Sequence, residues 1–258
     1  MSLPSVLQTA AACVLTFLSV SAAPEAKPVR HARFLAVGDI PPFRQEIRDG
    51  IRYELDPPAD SVPPREIVPG FGKEVTDALS LRLGRITEPV KVPEGEGNLE
   101  LRRTGDDLKA APWLSFKRPE TGDFLVYLFR SPSKKTWNDA VGLIIPEGPV
   151  GSPAGTVRVV NLYPLAIRVV WAAEGIMLPA GKNILRTIQP GTEVPFQILV
   201  PDETGAMKRY YSGAVTQNPN ERGLITIYRA DGENPRRPVK VSMLREPVAP
   251  PPPPKEKK

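Results

Sequence analysis

The chain has 258 residues, a net charge of +5 and 32 prolines, a length that fits one large domain or two of ordinary size. Because proline lacks the backbone donor and disrupts helix interiors, its abundance argues against a mainly helical protein. The single histidine, His31, and the single cysteine, Cys13, exclude Ser–His–Asp and Cys–His catalysis, and with them zinc or copper sites. We therefore expect no cofactor and no metal.

The N-terminal residues have the pattern of a secretory signal peptide. Residues 1–24 carry no charged side chain, and the apolar stretch AAACVLTFLSV at 10–20 is followed by small residues. This pattern predicts a cleaved signal over residues 1–23, although no Lys or Arg precedes the apolar stretch. A retained anchor and a lipidated Cys13 are the alternatives. A mature chain without cysteine or a membrane span fits export to a bacterial periplasm or cell surface.

Strand signals begin after a polar linker at 24–33. Short β-prone runs recur about every ten residues, separated by turn signals such as PAG, QPG and PDETG, and this spacing predicts an all-β chain of β-sandwiches. The best helix candidate is the short stretch 73–81. The clearest strand candidates are FLAVGDI at 34–40, LSLRLGRI at 79–86, FLVYLF at 124–129, TVRVVNL at 156–162 and VPFQILV at 194–200.

The strand pattern occurs twice along the chain. A shift of 99 residues places Leu125 on Leu224 and Arg130 on Arg229. Upstream the register slips, but the order of strands and loops persists, with FLAVGDIPPF at 34–43 matching VRVVNLYPLA at 157–166. The first copy carries extra residues, mainly the Pro-rich segment 56–72.

This repeat predicts two tandem immunoglobulin-like antiparallel β-sandwich modules, at 34–150 and 151–246. Their boundary falls in IPEGPVGSPAG at 145–155, where proline and glycine concentrate. The remaining residues, PVAPPPPPKEKK at 247–258, favour polyproline II and predict a disordered solubilising tail. A spacer or a docking peptide is the alternative for this tail.

Carboxylates are the remaining candidates for chemistry. A glycosidase needs two carboxylates that flank a cleft, whereas the acidic pairs of this chain lie in apparent turns, where Asp and Glu are favoured for backbone reasons. We therefore favour the turn interpretation over catalysis. The candidate carboxylates are Glu54, Asp56, Asp106, Asp107, Asp202, Glu203, Asp231 and Glu233.

A contact surface is predicted in the loops that differ between the two copies. Trp137 stands in the polar loop SPSKKTWND and could be exposed beside Lys134 and Lys135, although packing in the core is the favoured alternative for a tryptophan. Arg222, Arg236 and Arg237 flank the corresponding hairpin of the second copy. These six residues are the predicted contact surface.

The second module resembles a family of small exported bacterial β-sandwiches. The compact motif is VRVVNL, followed by a strand and the PAG turn, and the module ends in RGLITIYRADGENPRRPVKV at 222–241. This layout is similar to that of the alginate acetylation accessory proteins, which are tandems of two such modules, and it covers residues 154–246 best. The resemblance implies a periplasmic, non-catalytic adaptor and transfers no active-site residue.

Together these features predict a monomeric or weakly associating, non-enzymatic binding or scaffolding protein of the cell envelope. The expected partner is an envelope protein, and nucleic acid is not expected as a partner of an exported chain. The alternative function is binding of an extracellular, anionic polysaccharide, or weak carboxylate-based activity on a glycan. The scattered basic residues are compatible with contact to an anionic polymer.

Overall fold

The computed structural model describes residues 29–248, except 73, 108, 135 and 232–234. Within these residues the regular secondary structure is almost entirely β-strand, which confirms the all-β prediction. The predicted signal with Cys13, and the tail beyond residue 248, lie outside the described residues. No helix among the described residues is long and apolar enough to cross a membrane.

The first half of the chain forms two larger sheets and a separate hairpin. The inner sheet has the strand order β11-β10-β1-β7, and the outer sheet has the order β5-β4-β8-β9, with β6 also paired to β4. The strands β2 and β3 form the hairpin. The strands are β1 (Arg30–Val37), β2 (Gln45–Arg48), β3 (Ile51–Glu54), β4 (Glu66–Phe71), β5 (Glu74–Val75), β6 (Leu79–Ser80), β7 (Val90–Val92), β8 (Asn98–Arg103), β9 (Leu114–Lys117), β10 (Phe124–Arg130) and β11 (Ala140–Pro146).

The second half forms another inner and outer sheet after a single helical turn, α1 (Gly148–Gly151). Its inner sheet has the order β15-β12-β18-β19 and its outer sheet the order β14-β13-β16-β17. The strands are β12 (Thr156–Asn161), β13 (Ile167–Trp171), β14 (Glu174–Leu178), β15 (Asn183–Thr187), β16 (Val194–Pro201), β17 (Met207–Val215), β18 (Glu221–Arg229) and β19 (Val239–Pro247).

The two halves share one strand order. In both, the first strand pairs in parallel with the second-last strand, β1 with β10 and β12 with β18. The ladders place Phe34 opposite Val126 and Val159 opposite Ile225. The 99-residue shift matches Val126 with Ile225, so their ladder partners Phe34 and Val159 correspond in the structure. The sequence comparison instead matches Phe34 with Val157, two residues earlier.

Each half encloses a hydrophobic core between its inner and outer sheets, as in a β-sandwich. In the first half, Phe34 and Phe124 of the inner sheet pack with Leu99 of the outer sheet. In the second half, Val159 of the inner sheet packs with Phe196 and Ile198 of the outer sheet. The outer strand β16 alternates buried and less buried residues, as expected for a sheet with one covered face.

A third apolar cluster lies between the two inner sheets. Leu35 and Tyr127 of the first half pack against Val160, Leu162 and Leu224 of the second half. The inner strands are therefore covered on both faces, which explains why β10 (FLVYLFR) is an almost continuous apolar run. The molecule is a stack of four sheets whose central contact joins the two halves.

Two boundaries and one helix expected from the sequence differ from the structure. Strand β1 begins at Arg30, inside the predicted linker, because Ala32 is needed in the first core. The helix expected at 73–81 is absent from the described residues there, because β5 and β6 pair with the backbone of β4 instead. Strand β19 ends at Pro247, one residue inside the predicted tail.

Candidate functional site

The first half contains an insertion that the second half lacks. The connection from β1 to β4 spans residues 38–65, whereas the corresponding connection from β12 to β13 spans only residues 162–166. The insertion folds into the β2–β3 hairpin, whose Asp49 and Gly50 have φ angles of 51° and 76°, as a tight two-residue turn requires. Because the second half builds the same sheet order without it, the sheet order does not depend on the hairpin.

The inserted segment exposes apolar side chains. Five of the twelve large hydrophobic side chains exposed in the described region lie in it, with exposed fractions from 46% to 82%. Ile47 faces one side of the hairpin, and Ile51 and Tyr53 face the other, because alternate residues of a strand share a face. Among the described strands, β2 and β3 pair only with each other, so this patch stays uncovered. The five residues are Ile40, Phe43, Ile47, Ile51 and Tyr53.

Three loops meet at the end of the molecule that carries the hairpin. The parallel strands β1 and β10 end side by side, with Val37 opposite Phe129. The loops that follow β10 and β18 touch, since Arg229 donates to the carbonyl of Pro132 at 3.1 Å. We call this region, formed by the described residues of 38–65, 131–139 and 230–238, the hairpin end.

Two aspartates join the halves at the hairpin end. The N–H of Asp39 donates to Oδ2 of Asp231 at 2.8 Å, and the N–H of Asp231 donates to Oδ2 of Asp39 at 3.0 Å. Asp231 also forms an ion pair with Arg130, and both side chains are mostly buried. A Cβ at Gly38 would lie 2.9 Å from Oδ2 of Asp231, so a larger residue there would have to displace that carboxylate. These bonds fix the start of the insertion against the second half.

Tyr228 and Lys240 complete the surroundings of Asp39. The Tyr228 hydroxyl donates to Oδ1 of Asp39 at 3.2 Å, and Nζ of Lys240 lies 4.0 Å from the same oxygen. Burial and then the Asp39 carboxylate raise the pKa of Tyr228, which keeps its hydroxyl protonated as a donor. Fixed donors thus occupy both carboxylates, and the arrangement is that of structural contacts.

A cleft of about 650 Å³ opens between these contacts and the segments that flank the hairpin, and a second cleft of about 400 Å³ adjoins it. The larger cleft is lined by the positive side chains of Arg44 and Lys240, and the smaller cleft by those of Arg236, Arg237 and Lys240. Arg236 and Arg237 are exposed and form no ion pair among the described residues. The rims of the two clefts therefore present positive charge near the exposed apolar residues Ile40 and Phe43.

An ion-pair network joins the halves at the opposite end of the inner sheets. Arg33 donates to Glu147 at 2.8 Å and to Glu246 at 2.6 Å, and Arg222 donates to Glu246 at 3.1 Å. The four side chains are 8% to 22% exposed. Burial alone would raise the pKa of Glu246, but Arg33 and Arg222 outweigh burial and lower it. This network is a structural link between the halves.

Neither a protein-family model nor a curated protein matches this chain.

Two of the predicted contact residues are not at an exposed surface. Trp137 is 1% exposed, because its backbone N–H donates to the carbonyl of Asp60 and its ring packs in the first core. The alternative of core packing is thus the correct one for Trp137. Arg222 lies on β18 in the ion-pair network, far from the hairpin end, because the strand begins at Glu221 rather than after a longer loop.

The remaining predicted contact residues lie at the hairpin end. Arg236 and Arg237 are exposed and line the smaller cleft. Lys134 is exposed in the loop after β10, where Asp139 pairs with its Nζ at 2.8 Å and raises its pKa. Lys135 falls outside the described residues. The structure therefore exposes three of the six residues at the hairpin end, buries Trp137 beneath them and places Arg222 at the opposite end.

Several candidate carboxylates accept hydrogen bonds from backbone N–H groups of their own turns, as expected for turn residues. Oδ1 of Asp202 accepts from the N–H and hydroxyl of Thr204 and from the N–H of Ala206, and the Thr204 bonds lower its pKa. Asp106 accepts from the N–H of Arg103 in the same way. Asp231 differs because it bonds across the two halves, and Glu54 differs because it lies on β3. Glu233 lies outside the described residues. No group of three or more His, Cys, Asp or Glu that could hold a metal ion occurs in the described part of the chain.

The sequence interpretation missed the insertion as the main exposed feature. It singled out the Pro-rich segment 56–72, whereas the exposed apolar residues precede it, between Ile40 and Tyr53. The dipeptide Asp49–Gly50 between β-prone residues is a hairpin signal that could have located the turn. The sequence contains no comparable signal for the exposure of both hairpin faces, because exposure depends on whether other parts of the fold pack against the hairpin.

Proposed function

We propose that this chain is a non-enzymatic binding or scaffolding protein of the bacterial cell envelope. It consists of two immunoglobulin-like β-sandwich modules that arose by duplication, and it contacts an envelope protein through the hairpin end. The shared strand order of the halves supports the duplication. The pattern at residues 1–23 supports export.

The observation that carries this proposal is the uncovered hairpin. A hairpin that builds no core is marginally stable by itself, and its exposed apolar residues are typical of an interaction site. Ile40 and Phe43 are 82% and 68% exposed, beside the cleft. The carboxylates of Asp39 and Asp231 are bound to fixed donors, which favours recognition over chemistry at this surface.

The charge of the surface indicates the chemistry of the partner. Arg44, Arg236, Arg237 and Lys240 surround the apolar side chains at the cleft, whereas the two aspartates behind them are already bridged. A partner that fits this surface offers an apolar groove with carboxylates on its rim. Phe43 is the side chain best placed to act as a buried anchor in such a groove.

The test is a comparison of two variants in envelope extracts. One variant replaces residues 43–55, including Phe43, by a short Gly-Ser segment, and the control replaces two other exposed apolar residues, Met177 and Leu185, by serine. We expect the hairpin variant to keep the thermal transition of the wild-type chain and to lose a partner that both the wild type and the control retain. Equal partner recovery by all three chains would contradict the proposal.

A second candidate function is binding of an anionic extracellular polysaccharide. The exposed pair Arg236–Arg237 beside Lys240 favours it, because these cations can meet uronate carboxylates. Binding of a polyuronate that disappears in the Arg236→Ser, Arg237→Ser double variant would support it. This candidate also agrees with the proposed resemblance to the alginate acetylation accessory proteins, which is based on a similar order of strands and turns.

A further inference from the structure

The free edge of β2 has backbone groups that point away from the hairpin. The N–H of Leu55 donates to the carbonyl of Arg44, so the backbone groups of Arg44, Glu46 and Arg48 point toward β3. Because these groups alternate along an antiparallel strand, those of Gln45 and Ile47 point outward. Among the described residues no other strand pairs with β2, and Ile47 is 62% exposed. This edge can therefore accept another strand.

The sequence of β2 is complementary to itself when the strand is reversed. If Ile47 lies opposite the Ile47 of a second, antiparallel β2, then Glu46 of each strand lies opposite Arg48 of the other. Glu46 and Arg48 already form an ion pair within the strand, at 2.7 Å on one face. The paired strands would place four alternating charges in a square on that face, and two isoleucines together on the other face.

We propose that a second copy of this chain pairs with the free edge of β2, by a twofold contact centred on Ile47, to form a four-stranded sheet from two hairpins. The outward N–H of each Ile47 donates to the carbonyl of the other Ile47, as in a hydrogen-bonded antiparallel pair. A sheet of four strands also relieves the marginal stability of an isolated hairpin. The partner of this edge is thus a second copy of the chain.

The β3 edge is the weaker competitor. Its outward-pointing residues are Arg52 and Glu54, so a twofold contact centred on either places like charges opposite each other. Centring it on Tyr53 pairs Arg52 with Glu54 only at hydrogen-bonded positions, where opposing side chains are farther apart. At the β2 edge the Glu46–Arg48 pairs fall on the closer, non-hydrogen-bonded positions.

This contact goes beyond the proposed function and does not depend on it. Pairing through β2 uses Glu46, Ile47 and Arg48, whereas the cleft is lined by Arg44, Lys240 and other residues outside β2. A dimer would present the cleft and its apolar surroundings twice and so bind a repeated partner with higher avidity.

The test measures self-association of the full chain by light scattering and sedimentation over a range of concentrations. We expect a reversible dimer for the wild type. Glu46→Arg and Arg48→Glu should each raise its dissociation constant roughly tenfold or more, because each reversal places like charges opposite each other twice. An equimolar mixture of the two variants should dimerise like the wild type. In the mixed dimer, positions 46 and 48 are both positive in one chain and both negative in the other, so every facing pair is again of opposite charge.

Three results would overturn the inference. They are a wild-type chain that stays monomeric, single variants that dimerise normally, or a mixture of the two variants that does not recover. A dimer lost in Arg52→Glu and kept in Glu46→Arg would assign the contact to β3 and reject the β2 register. The envelope partner is measured separately by crosslinking at Phe43, which lies outside β2 and leaves Glu46, Ile47 and Arg48 unchanged.

Discussion

Asp231 is the residue on which the geometry of the hairpin end depends most. It accepts from the N–H of Asp39 and pairs with Arg130, and both charged side chains are less than one-fifth exposed. Its removal leaves the Arg130 charge and the Asp39 N–H without this partner. The loop after β1 would then lose its link to the second half.

We expect Asp231→Ala to lower the free energy of unfolding by about 3 kcal/mol. Urea unfolding followed by circular dichroism measures this change. Asp56→Ala is the control, because that carboxylate is 93% exposed and should leave stability unchanged. Equal stabilities of the two variants would show that the cross-half aspartate contact is not a structural link.

Glu246 should make stability depend on acidity. Since Arg33 and Arg222 lower its pKa in the folded state, the stabilisation is present above the ordinary pKa of glutamate and is lost as the pH falls through the folded value. Between pH 7 and pH 3, Glu246→Gln should therefore lose less stability than the wild type. Urea midpoints measured across this range test the difference, and parallel curves would contradict it.

The residue scale also shows where the sequence misleads. The polar neighbours of Trp137 suggest an exposed side chain, but the contact that buries it comes from Asp60, far away in the chain. The residues next to Arg222 resemble a loop. Its partners Glu147 and Glu246 are distant in sequence, so its neighbours do not reveal the ion pairs that it forms. Local chemistry cannot reveal such contacts, whereas Asp202 bonds within its own turn and is interpreted correctly from the sequence.

At the scale of elements, the hairpin is the part of the described fold that is least supported by packing. Its two strands contact mainly each other, and the Asp49–Gly50 turn sets their register. A β-branched residue at Gly50 cannot adopt the φ of 76° without strain. The turn is thus the point at which the hairpin can be perturbed alone.

We expect Gly50→Val to increase amide hydrogen exchange in β2 and β3 while leaving the thermal transition of the whole chain unchanged. Hydrogen-exchange mass spectrometry resolves the hairpin from β10, whose exchange serves as the internal control. A fall in the global transition temperature would show that the hairpin is coupled to the cores.

The strands themselves are largely predictable. Alternating runs such as β16 and continuous runs such as β10 carry their burial pattern in the sequence. The short strands β5 and β6 are not predictable, because only pairing with β4 keeps them extended. The hairpin turn can be predicted from Asp49–Gly50. The absence of packing against the hairpin cannot be predicted, since it depends on the tertiary fold.

At the scale of the molecule, the contact between the inner sheets makes one unit of the two halves. Leu125 and Tyr127 pack against Val160 and Leu224, and an ionic or polar link closes each end of the contact. The shared order of the strands could be inferred from the repeat, but the parallel pairing of β1 with β10 and of β12 with β18 departs from the predicted antiparallel sheets. Nothing in the sequence of one half states that its partner is the other half. The apolar faces of both inner sheets only indicate that they must be covered.

This contact predicts a single cooperative unfolding transition for the two halves. Leu125→Ala should lower the free energy of unfolding by about 3 kcal/mol, because the leucine is 1% exposed between the sheets. Calorimetry should still give one transition, with Leu185→Ala as the exposed control. Two separate transitions in the wild type would contradict a shared central core.

The central claim is that the hairpin end is the surface through which this protein binds its envelope partner. A photo-crosslinking amino acid placed at Phe43 in the native envelope tests it most directly, with the same group at Met177, another exposed apolar residue, as control. We expect a defined adduct from position 43 that is absent at position 177. An adduct from position 177 alone, or the same products from both positions, would contradict the claim.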